Sequence, residues 1–493
     1  MKVLTSKDIF LSVFGAFLLS LPFSSGNLWI ISWFGFLPLF FSLRNKSGLQ
    51  AFLSAYICGI IFWGFTIYWL VHITLLGTVI LILYLALYFG AFGPLFSAAD
   101  RKLETAGLFF IPCTWVLLEY VRSHLFTGFP WALIGFSQYK NLPVIQVADI
   151  SGAWGVSFLV VFFNAGLYLI WRGKMKLRIS FICAAILILS LAYGSYKLNR
   201  SLGCRTAKGA VKVAVIQGNI PQDLKWDVAA RDFILNRYKE LTSESAKDNP
   251  ALIIWPEASI PGILGDDEAV FQQVFSLART LNIDLLVGAV SRSGESYFNS
   301  ALFIDNSGKP AGVYHKLHLV PFGEFIPFKK TFPFLRTIAP IGDIQPGNEY
   351  TVFDRPDKFG VLICFEDLFP ELSRRFVKKG AKFLVNITND AWYKETSAAS
   401  QHFSASVFRA VENRVYLCRA ANTGVSGFID PWGRALSLVR DTAGKEIFVK
   451  GFAGREICLT GTQSFYTRYG DIFMLLCLLL DICVIIIRKL SVD

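Results

Sequence analysis

Charged residues are scarce in this sequence. Only 17% of the 493 residues are Asp, Glu, Lys or Arg, and 54% are hydrophobic, whereas an ordinary soluble protein has about 25% charged residues. This composition excludes a disordered protein and argues against a wholly soluble enzyme. The nine cysteines are too sparse for a disulfide scaffold. The five histidines show no metal-site spacing, so we expect no metal and no other cofactor.

Long apolar stretches fill the N-terminal part of the chain. No charged residue occurs in 9–43, and none occurs in 47–99. A spanning helix needs about 20 apolar residues, so each of these stretches is long enough for two helices. The sequence thus predicts a polytopic membrane protein of about eight spans, with seven in a transmembrane domain at 1–198 and one in a C-terminal segment at 471–493. The last four of these spans are the apolar stretches 107–121, 150–171, 179–196 and 472–487.

The positions of lysine and arginine predict which side of the membrane each loop faces. Basic residues precede the first predicted helix and follow the second, fourth, sixth and eighth, whereas the alternate loops hold only Lys140. By the positive-inside rule both termini are cytoplasmic, and the segment 199–470 lies on the opposite side. The net charge of +12 then largely reflects this topology, and we expect no nucleic-acid partner.

The segment 199–470 has the pattern of a globular α/β domain. Short runs rich in β-branched residues predict buried strands, and apolar residues at helical spacing predict helices between them. A turn at Asp305–Gly308 between two apolar runs predicts a hairpin. The predicted strands are 211–217, 252–255, 284–290, 360–365 and 381–387, and the predicted helices are 267–282, 371–379 and 397–413. Such alternation indicates a layered α/β domain.

Three motifs in this segment carry residues with catalytic chemistry. Glu257 follows a predicted strand in WPE, Lys316 and Glu324 lie in HKLHLVPFGE, and Cys364 ends a predicted strand in CFED. Each motif alone is a weak signal, because a lone cysteine is usually a small buried hydrophobe and a lone charged residue is usually solvated. The three motifs in this order are much more specific.

Together the motifs resemble the carbon–nitrogen hydrolase (nitrilase) superfamily over residues 210–450, and with the predicted spans the whole chain resembles the apolipoprotein N-acyltransferase family. The resemblance implies an αββα sandwich on the periplasmic side of a bacterial inner membrane, in agreement with the side predicted from loop charges. It also implies a catalytic triad of Glu257, Lys316 and Cys364.

Further residues match the family at the site. Glu324, Glu366 and Trp226 match family residues, and Trp392 lies in a matching loop at 389–393. Phe365 stands where the family commonly has tyrosine, so any role of that hydroxyl is absent here. We single out Trp226, Phe365 and Trp392 from the other aromatic residues, most of which we expect to face lipid or to fill the core.

The triad has a chemical logic of its own. A thiol with a pKa of about 8.5 is mostly protonated at neutral pH, so Cys364 needs a general base, and Glu257 supplies one. A carboxylate alone would oppose thiolate formation, so Lys316 supplies the compensating charge and stabilises the oxyanion together with a backbone N–H near Phe365. The expected reaction is a ping-pong acyl transfer through a thioester on Cys364.

The resemblance also implies the substrates. The donor would be a membrane phospholipid such as phosphatidylethanolamine, and the acceptor would be the N-terminal amine of S-diacylglyceryl cysteine in an apolipoprotein. Both would reach the enzyme from the lipid bilayer, which gives a reason for attaching the domain to membrane spans. We expect a monomer, because no assembly motif is present.

Two other classes of function stay open at this stage. A membrane-anchored amidase or nitrilase would use the same triad to pass the acyl group to water. A transporter or receptor would use the domain only for binding, and the intact triad argues against it.

Several further features are ambiguous in the sequence. Asp481 and the pair Glu119 and Arg122 lie in apolar stretches, where charge is costly and often functional. We expect a structural partner for Asp481, and we expect Glu119 and Arg122, three residues apart, to neutralise each other near an interface. Pairing among Cys204, Cys418 and Cys458 is undecided, and the segment 320–346 is a plausible lid.

Overall fold

The computed structural model describes residues 4–173, 175–200, 209–326, 344–459, 461 and 463–490. The chain divides into two compact units. The first consists of Met1–Ser201 with Tyr469–Asp493, and the second is Leu202–Arg468. The predicted lid falls mostly on residues outside the described part of the chain, as does Cys204.

The first unit is helical. Six segments in the described part of the chain are long and apolar enough to cross a membrane: Ser6–Ser24, Gly26–Leu43, Gly48–Thr66, Leu75–Lys102, Ala148–Trp171 and Lys176–Asn199. A shorter apolar helix covers Ile472–Ile487. Its α-helices are α1 (Ser6–Ser24), α2 (Ser32–Gly35), α3 (Leu37–Leu43), α4 (Gly48–Thr66), α5 (Leu75–Lys102), α6 (Gly107–His124), α7 (Leu142–Ile145), α8 (Ala148–Trp171) and α9 (Lys176–Asn199), followed by the C-terminal helix Ile472–Leu490. The count of eight spans stays a prediction.

The second predicted span is not one continuous α-helix. It begins as a 3-10 helix at Gly26–Ile31 and continues as α2 and α3. By contrast, α1 and α4 begin at regular capping boxes, with Thr5 and Asp8 at one and Ser47 and Gln50 at the other. These side chains satisfy N–H groups that have no partner within the helix.

The buried charged residues of this unit have structural partners. The Glu119 Oε1 accepts a hydrogen bond from the Ile134 N–H (2.8 Å), and the Arg122 Nη1 donates to the Phe129 and Trp131 carbonyls (2.6 and 2.9 Å). The Asp481 Oδ2 accepts from the Thr114 hydroxyl (3.0 Å). These bonds compensate polar groups that would otherwise be costly in an apolar environment.

The second unit contains two β-sheets. Its strands are β1 (Ala210–Gln217), β2 (Leu252–Ile254), β3 (Ile263–Leu264), β4 (Asp284–Ser293), β5 (Ser296–Ile304), β6 (Pro310–His315), β7 (Val352–Phe353), β8 (Phe359–Ile363), β9 (Phe383–Thr388), β10 (Tyr416–Ala421), β11 (Gly427–Ile429), β12 (Ala435–Leu436) and β13 (Gly451–Cys458). The first sheet has the order β13-β1-β2-β4-β5-β6, with β3 paired to β4. The second has the order β12-β11-β10-β9-β8-β7.

The sheets form the centre of a four-layer arrangement. They meet through β1 with β10 and through β5 with β8. The helices of this unit are α10 (Arg231–Ala246), α11 (Glu268–Leu281), α12 (Pro370–Lys378), α13 (Ala398–Asn413) and α14 (Phe465–Tyr469). Helices α10 and α11 pack on the first sheet, and α12 and α13 pack on the second. The predicted αββα sandwich is therefore confirmed, as is the apolar helical region before it.

The burial of the strands agrees with this layering. Every residue of β8, β9 and β10 is buried, as expected for parallel strands that are covered on both faces. On the outer face of the first sheet, the Trp255 ring stacks on Tyr238 with 4.9 Å between centroids. The Trp255 indole N–H donates to the Thr242 hydroxyl, so the strand that precedes Glu257 is firmly held.

The cysteines of this unit differ in state. Cys418 is a free, buried thiol, whereas Cys458 is disulfide-bonded.

Candidate active site

Three strand ends supply the predicted triad. Glu257 lies three residues after β2, Lys316 directly follows β6, and Cys364 directly follows β8. Strands β4, β5 and β6 are successively antiparallel, so β6 runs in the same direction as β4 and β2 and ends at the same edge of the sheet. All three side chains are nearly inaccessible to solvent, with residue exposures of 7%, 1% and 7%.

Cys364 occupies an unusual backbone conformation. Its φ is +52°, in the left-handed region, where β8 turns sharply into the 3-10 helix Cys364–Leu368. A non-glycine residue persists there only when surrounding contacts hold it, and such strain is concentrated at functional sites. The turn places the thiol at the end of the sheet.

Lys316 is the central cation of the site. Its Nζ lies 3.0 and 2.9 Å from the two carboxylate oxygens of Glu324, and 3.7 Å from the Glu257 Oε1. The Asn299 side-chain amide bridges the same two carboxylates, donating to the Glu257 Oε1 and to the Glu324 Oε1 at 2.7 Å each. Glu257 is thus oriented by an amide as well as by a cation.

Burial and charge oppose each other in setting the protonation of these groups. Burial alone would lower the pKa of Lys316, but the Glu324 and Glu257 carboxylates outweigh it and raise that pKa, so the lysine is charged. Burial and the Glu257 carboxylate raise the pKa of Cys364 well above its usual range, and Lys316 only partly offsets this. The resting thiol is therefore protonated, and attack requires proton transfer to a neighbouring base.

Glu366 is fully buried and accepts hydrogen bonds from the ends of both β6 and β8. Its Oε1 accepts from the Leu317 N–H (2.7 Å) and the His318 N–H (3.1 Å), and its Oε2 accepts from the Ile363 N–H (2.7 Å). The Tyr314 hydroxyl donates to both oxygens. Burial raises the pKa of Glu366 to about 7, against these hydrogen bonds. Glu366 thereby fixes Lys316 relative to Cys364.

A second buried lysine lies at the site. The Lys225 Nζ donates to the main-chain carbonyls of Glu257 (2.9 Å) and Ala258 (3.1 Å), and the residue is 4% exposed. Burial lowers the pKa of Lys225 to about 8, although the nearby Glu257 carboxylate opposes this shift. Neither Lys225 nor Asn299 was predicted from the sequence as a site residue. Lys225 directly precedes Trp226, which was the available signal, whereas Asn299 lies in no motif.

The three aromatic residues predicted for the site occupy different environments. Trp226 and Trp392 are 54% and 52% exposed. Phe365 is buried, with its ring 5.2 Å from Phe369 and 6.0 Å from His318. Beside Trp392, the buried Tyr393 lies near Cys364 and Glu257, and burial is the main cause that raises its pKa well above the usual range.

The arrangement has the groups needed for acyl transfer by a cysteine: a thiol, a carboxylate near it, and a cation that interacts electrostatically with both. In the described part of the chain, no cluster of His, Cys, Asp or Glu is suited to hold a metal ion.

Residues 212–448 match the family model described as carbon-nitrogen hydrolase, and residues 15–166 match the one described as apolipoprotein N-acyltransferase N-terminal domain. The second unit is thus a carbon–nitrogen hydrolase domain.

Comparison with individual proteins covers nearly the whole chain. An apolipoprotein N-acyltransferase from Geobacter metallireducens is 37% identical over 497 residues, which cover 96% of this chain and 93% of that protein. The enzyme of the same name from Haemophilus ducreyi is 30% identical over 91% of this chain and 90% of that protein. The chain belongs to the apolipoprotein N-acyltransferase family, and the predicted resemblance is confirmed.

Solved structures with a similar domain are more distant. A Saccharomyces cerevisiae member of branch 10 of the nitrilase superfamily has 20% identity and a TM-score of 0.39, with coverage of 51% of this chain and 91% of that one. An amidase from Nesterenkonia sp. has 18% identity and a TM-score of 0.40, and the match covers 54% of this chain and 94% of the amidase.

Proposed function

We propose that this protein transfers a fatty acyl group from a membrane glycerophospholipid to the N-terminal amine of S-diacylglyceryl cysteine in apolipoproteins. Phosphatidylethanolamine is the proposed donor. The observation that carries the proposal is the meeting of Glu257, Lys316 and Cys364 from three strand ends in one buried site, in a chain that belongs to this family. The catalytic roles of the three residues are part of the proposal.

The first half-reaction forms a thioester. Glu257 takes the proton of the Cys364 thiol as the sulfur attacks the ester carbonyl carbon of the phospholipid. The negative charge that develops on the carbonyl oxygen is stabilised by Lys316 and by the Phe365 N–H. The bond to the glycerol oxygen then breaks, that oxygen takes the proton from Glu257, and the lysophospholipid leaves.

The second half-reaction uses the same groups in the same order. The neutral α-amine of the acceptor attacks the thioester carbon and gives one proton to Glu257. When the carbon–sulfur bond breaks, the proton passes to Cys364 and an amide is formed. The low exposure of the triad supports transfer to an amine, because a thioester that water does not reach survives until the acceptor arrives.

The membrane topology completes the proposal. A transmembrane domain at 1–198 and a C-terminal segment at 471–493 would anchor a catalytic domain at 199–470 on the periplasmic side of a bacterial inner membrane, with both termini in the cytoplasm and the chain a monomer. The disulfide-bonded Cys458 supports this side, because disulfides persist in the periplasm and are rare in the cytoplasm. The exposed Trp226 and Trp392 offer apolar surface for lipid substrates.

The direct test is mass spectrometry of the purified protein after incubation with phosphatidylethanolamine. We expect one fatty-acyl mass on the peptide that contains Cys364, removed by neutral hydroxylamine and discharged by a diacylglyceryl-cysteine peptide faster than by water. Cys364→Ala should abolish the adduct with folding retained. Cys418→Ala is the matched control, because Cys418 is also a buried free thiol of the second unit and should leave the adduct intact.

Other outcomes identify the alternatives. An adduct that water removes rapidly, with no transfer to the peptide, would indicate the amidase or nitrilase reaction. If Cys364→Ala kept full transfer activity, the thioester mechanism would be wrong. The absence of an adduct from any phospholipid would contradict phospholipid as the acyl donor.

A further inference from the structure

A buried network of charges lies directly behind the nucleophile. It consists of His402 on α13, Asp367 in the 3-10 helix that begins at Cys364, Asp390 after β9, and Arg419 on β10, each at most 2% exposed. The Arg419 guanidinium lies 2.9 Å from the Asp367 Oδ2 and 3.2 Å from the Asp390 Oδ2. His402 is not among the residues that the sequence analysis predicts for the site.

The contacts of His402 determine its protonation. Its Nδ1 lies 2.8 Å from the Asp390 Oδ1, and its Nε2 lies 3.2 Å from the main-chain carbonyl oxygen of Cys364 and 2.9 Å from the Asp367 Oδ1. Carbonyl and carboxylate oxygens accept hydrogen bonds, so both ring nitrogens must carry a hydrogen. His402 is therefore an imidazolium, and the two cations of the network balance its two carboxylates.

The electrostatics agree with the geometry. Burial disfavours a charge on His402, but Asp367 and Asp390 outweigh both burial and Arg419 and raise the pKa of His402 to about 9.

The contact with Cys364 fixes the orientation of one peptide group. The Cys364 carbonyl oxygen receives the His402 Nε2–H and also the Asn386 side-chain amide at 3.4 Å. In a trans peptide the C=O and the following N–H point in opposite directions. A Cys364 carbonyl held toward the network therefore directs the Phe365 N–H away from it, on the side opposite His402.

The Phe365 N–H is suited to bind an oxyanion. Phe365 is the second residue of the 3-10 helix Cys364–Leu368, and the first N–H groups of a helix have no acceptor within the helix. The left-handed φ of Cys364 shows that the residue before this peptide is held in a conformation that it would not adopt unaided.

We propose that the His402 imidazolium is a positioning residue that keeps the Cys364–Phe365 peptide oriented for oxyanion binding. This inference rests on the proposed function, because it assigns the oxyanion-binding orientation of that reaction to a residue that does not touch the substrate. Without His402 the Cys364 carbonyl keeps only the longer hydrogen bond from Asn386 (3.4 Å), so the peptide is held less firmly. The Phe365 N–H is then displaced from the tetrahedral intermediate although the thiol stays in place.

The test compares two reactions of the same thiol. Acylation by phospholipid passes through an oxyanion, whereas alkylation by iodoacetamide displaces iodide from a saturated carbon and forms none. In His402→Gln, a single amide replaces two N–H groups on opposite edges of a ring, so the side chain does not serve Asp390 and the Cys364 carbonyl together. We expect kcat for acylation to fall about 100-fold, the usual effect of losing one oxyanion donor. KM and the alkylation rate should stay close to those of the wild type.

The control on the same helix is Ser404→Ala. The Ser404 hydroxyl is buried and donates to the Gln401 carbonyl of its own helix, so both rates should stay close to wild type. Asn386→Ala is a second variant, for use if His402→Gln does not fold. It removes the other donor to the Cys364 carbonyl. We expect it to reduce acylation about tenfold, the effect of one hydrogen bond, with alkylation retained.

The results separate the inference from the proposed function. Equal falls in acylation and alkylation, or no fall in either, in the folded variants would overturn the positioning role of His402. A wild-type protein that is alkylated normally but never acylated would instead overturn the proposed function.

Discussion

At the scale of single residues, the site is built on buried charges that are matched in pairs or networks. Lys316 faces two carboxylates, and Asn299 shares its amide between the same two. A buried charge left without its partner is costly, so the removal of one partner affects the whole group. Lys225 differs from Lys316, because its Nζ partners are uncharged carbonyl groups.

Lys225→Met should therefore impair catalysis without a change in the triad. Methionine keeps much of the apolar stem but leaves the Glu257 and Ala258 carbonyls without this donor, at a cost of about 1–3 kcal/mol. Because these carbonyls belong to the turn that carries Glu257, the proposed general base, we expect kcat to fall by about 10- to 100-fold. Steady-state transfer assays and thermal unfolding measure both effects.

The control for this change is Lys247→Met, because Lys247 is an exposed lysine of the same unit. Wild-type activity in Lys225→Met would contradict a positioning role for Lys225.

The pH dependence of stability follows from His402. Its pKa is raised from 6.5 to about 9 by Asp367 and Asp390 against burial, so between these values the folded state holds a proton that the unfolded state lacks. The contribution of His402 to stability is then complete below pH 6.5 and is lost as pH rises through 9. We expect the unfolding temperature in detergent to fall by several degrees across this window.

His402→Gln should flatten that dependence, because the neutral side chain has no proton to lose. If the variant and the wild type lost stability equally between pH 6.5 and 9, the imidazolium assignment would be wrong.

At the scale of elements, the turn after β2 depends on its neighbour β4. A Cβ on Gly288 would lie 2.3 Å from the Pro256 carbonyl oxygen and 2.6 Å from the Glu257 Cα. The Gly288 carbonyl also accepts hydrogen bonds from the Ser259 N–H (2.9 Å) and from the Ser259 hydroxyl (3.0 Å). The glycine therefore allows the close approach that places Glu257 beside Lys316.

Gly288→Ala should move this turn, because the atoms that a methyl group meets are backbone atoms, which cannot rotate away. We expect kcat to fall about 100-fold, since a shift of about 1 Å in a catalytic group has such an effect, and stability to fall by about 1–3 kcal/mol from overpacking. Gly209→Ala is the control, because its Cβ would meet only Leu459 Cδ1 at 3.7 Å. A fully active Gly288→Ala protein would contradict this account of the turn.

The elements also show what the sequence could predict. The predicted strands and helices of the second unit match β1, β2, β4, β8, β9 and α11 to α13 within a few residues, because each has clear periodicity or a buried apolar run. The hairpin at Asp305–Gly308 is present between β5 and β6.

Other features depend on pairing between distant segments. Asn299 reaches the site because β5 pairs with β6 in the register that sets Ser300 opposite His315, and no local pattern specifies a register of this kind. His402 reaches Cys364 because α13 packs on the second sheet. For the same reason no local pattern in the sequence predicts that His402 lies beside Cys364.

At the scale of the whole molecule, the predicted topology depends on how many helices cross the membrane between α5 and the second unit. Three of the predicted spans lie between α5 and the second unit: α6, α8 and α9. Helices α8 and α9 are long and apolar, but α6 is shorter and carries Glu119 and Arg122. Because these two side chains bond to backbone groups of their own unit, their charge does not exclude α6 from the membrane.

Single cysteines on either side of these helices test the predicted topology. Lys102, at the end of α5, and Ala443, in a turn of the second unit, are both exposed. We expect a membrane-impermeant maleimide to label Ala443→Cys in intact spheroplasts, and Lys102→Cys only after permeabilisation, each relative to the parent protein.

Three crossings put the two positions on opposite sides, whereas two crossings put them on the same side. Labelling of both cysteines in intact spheroplasts would therefore show that one of the three helices, most readily α6, does not cross. Labelling of Lys102→Cys alone would invert the orientation and place the triad in the cytoplasm, where a disulfide-bonded Cys458 would not be expected.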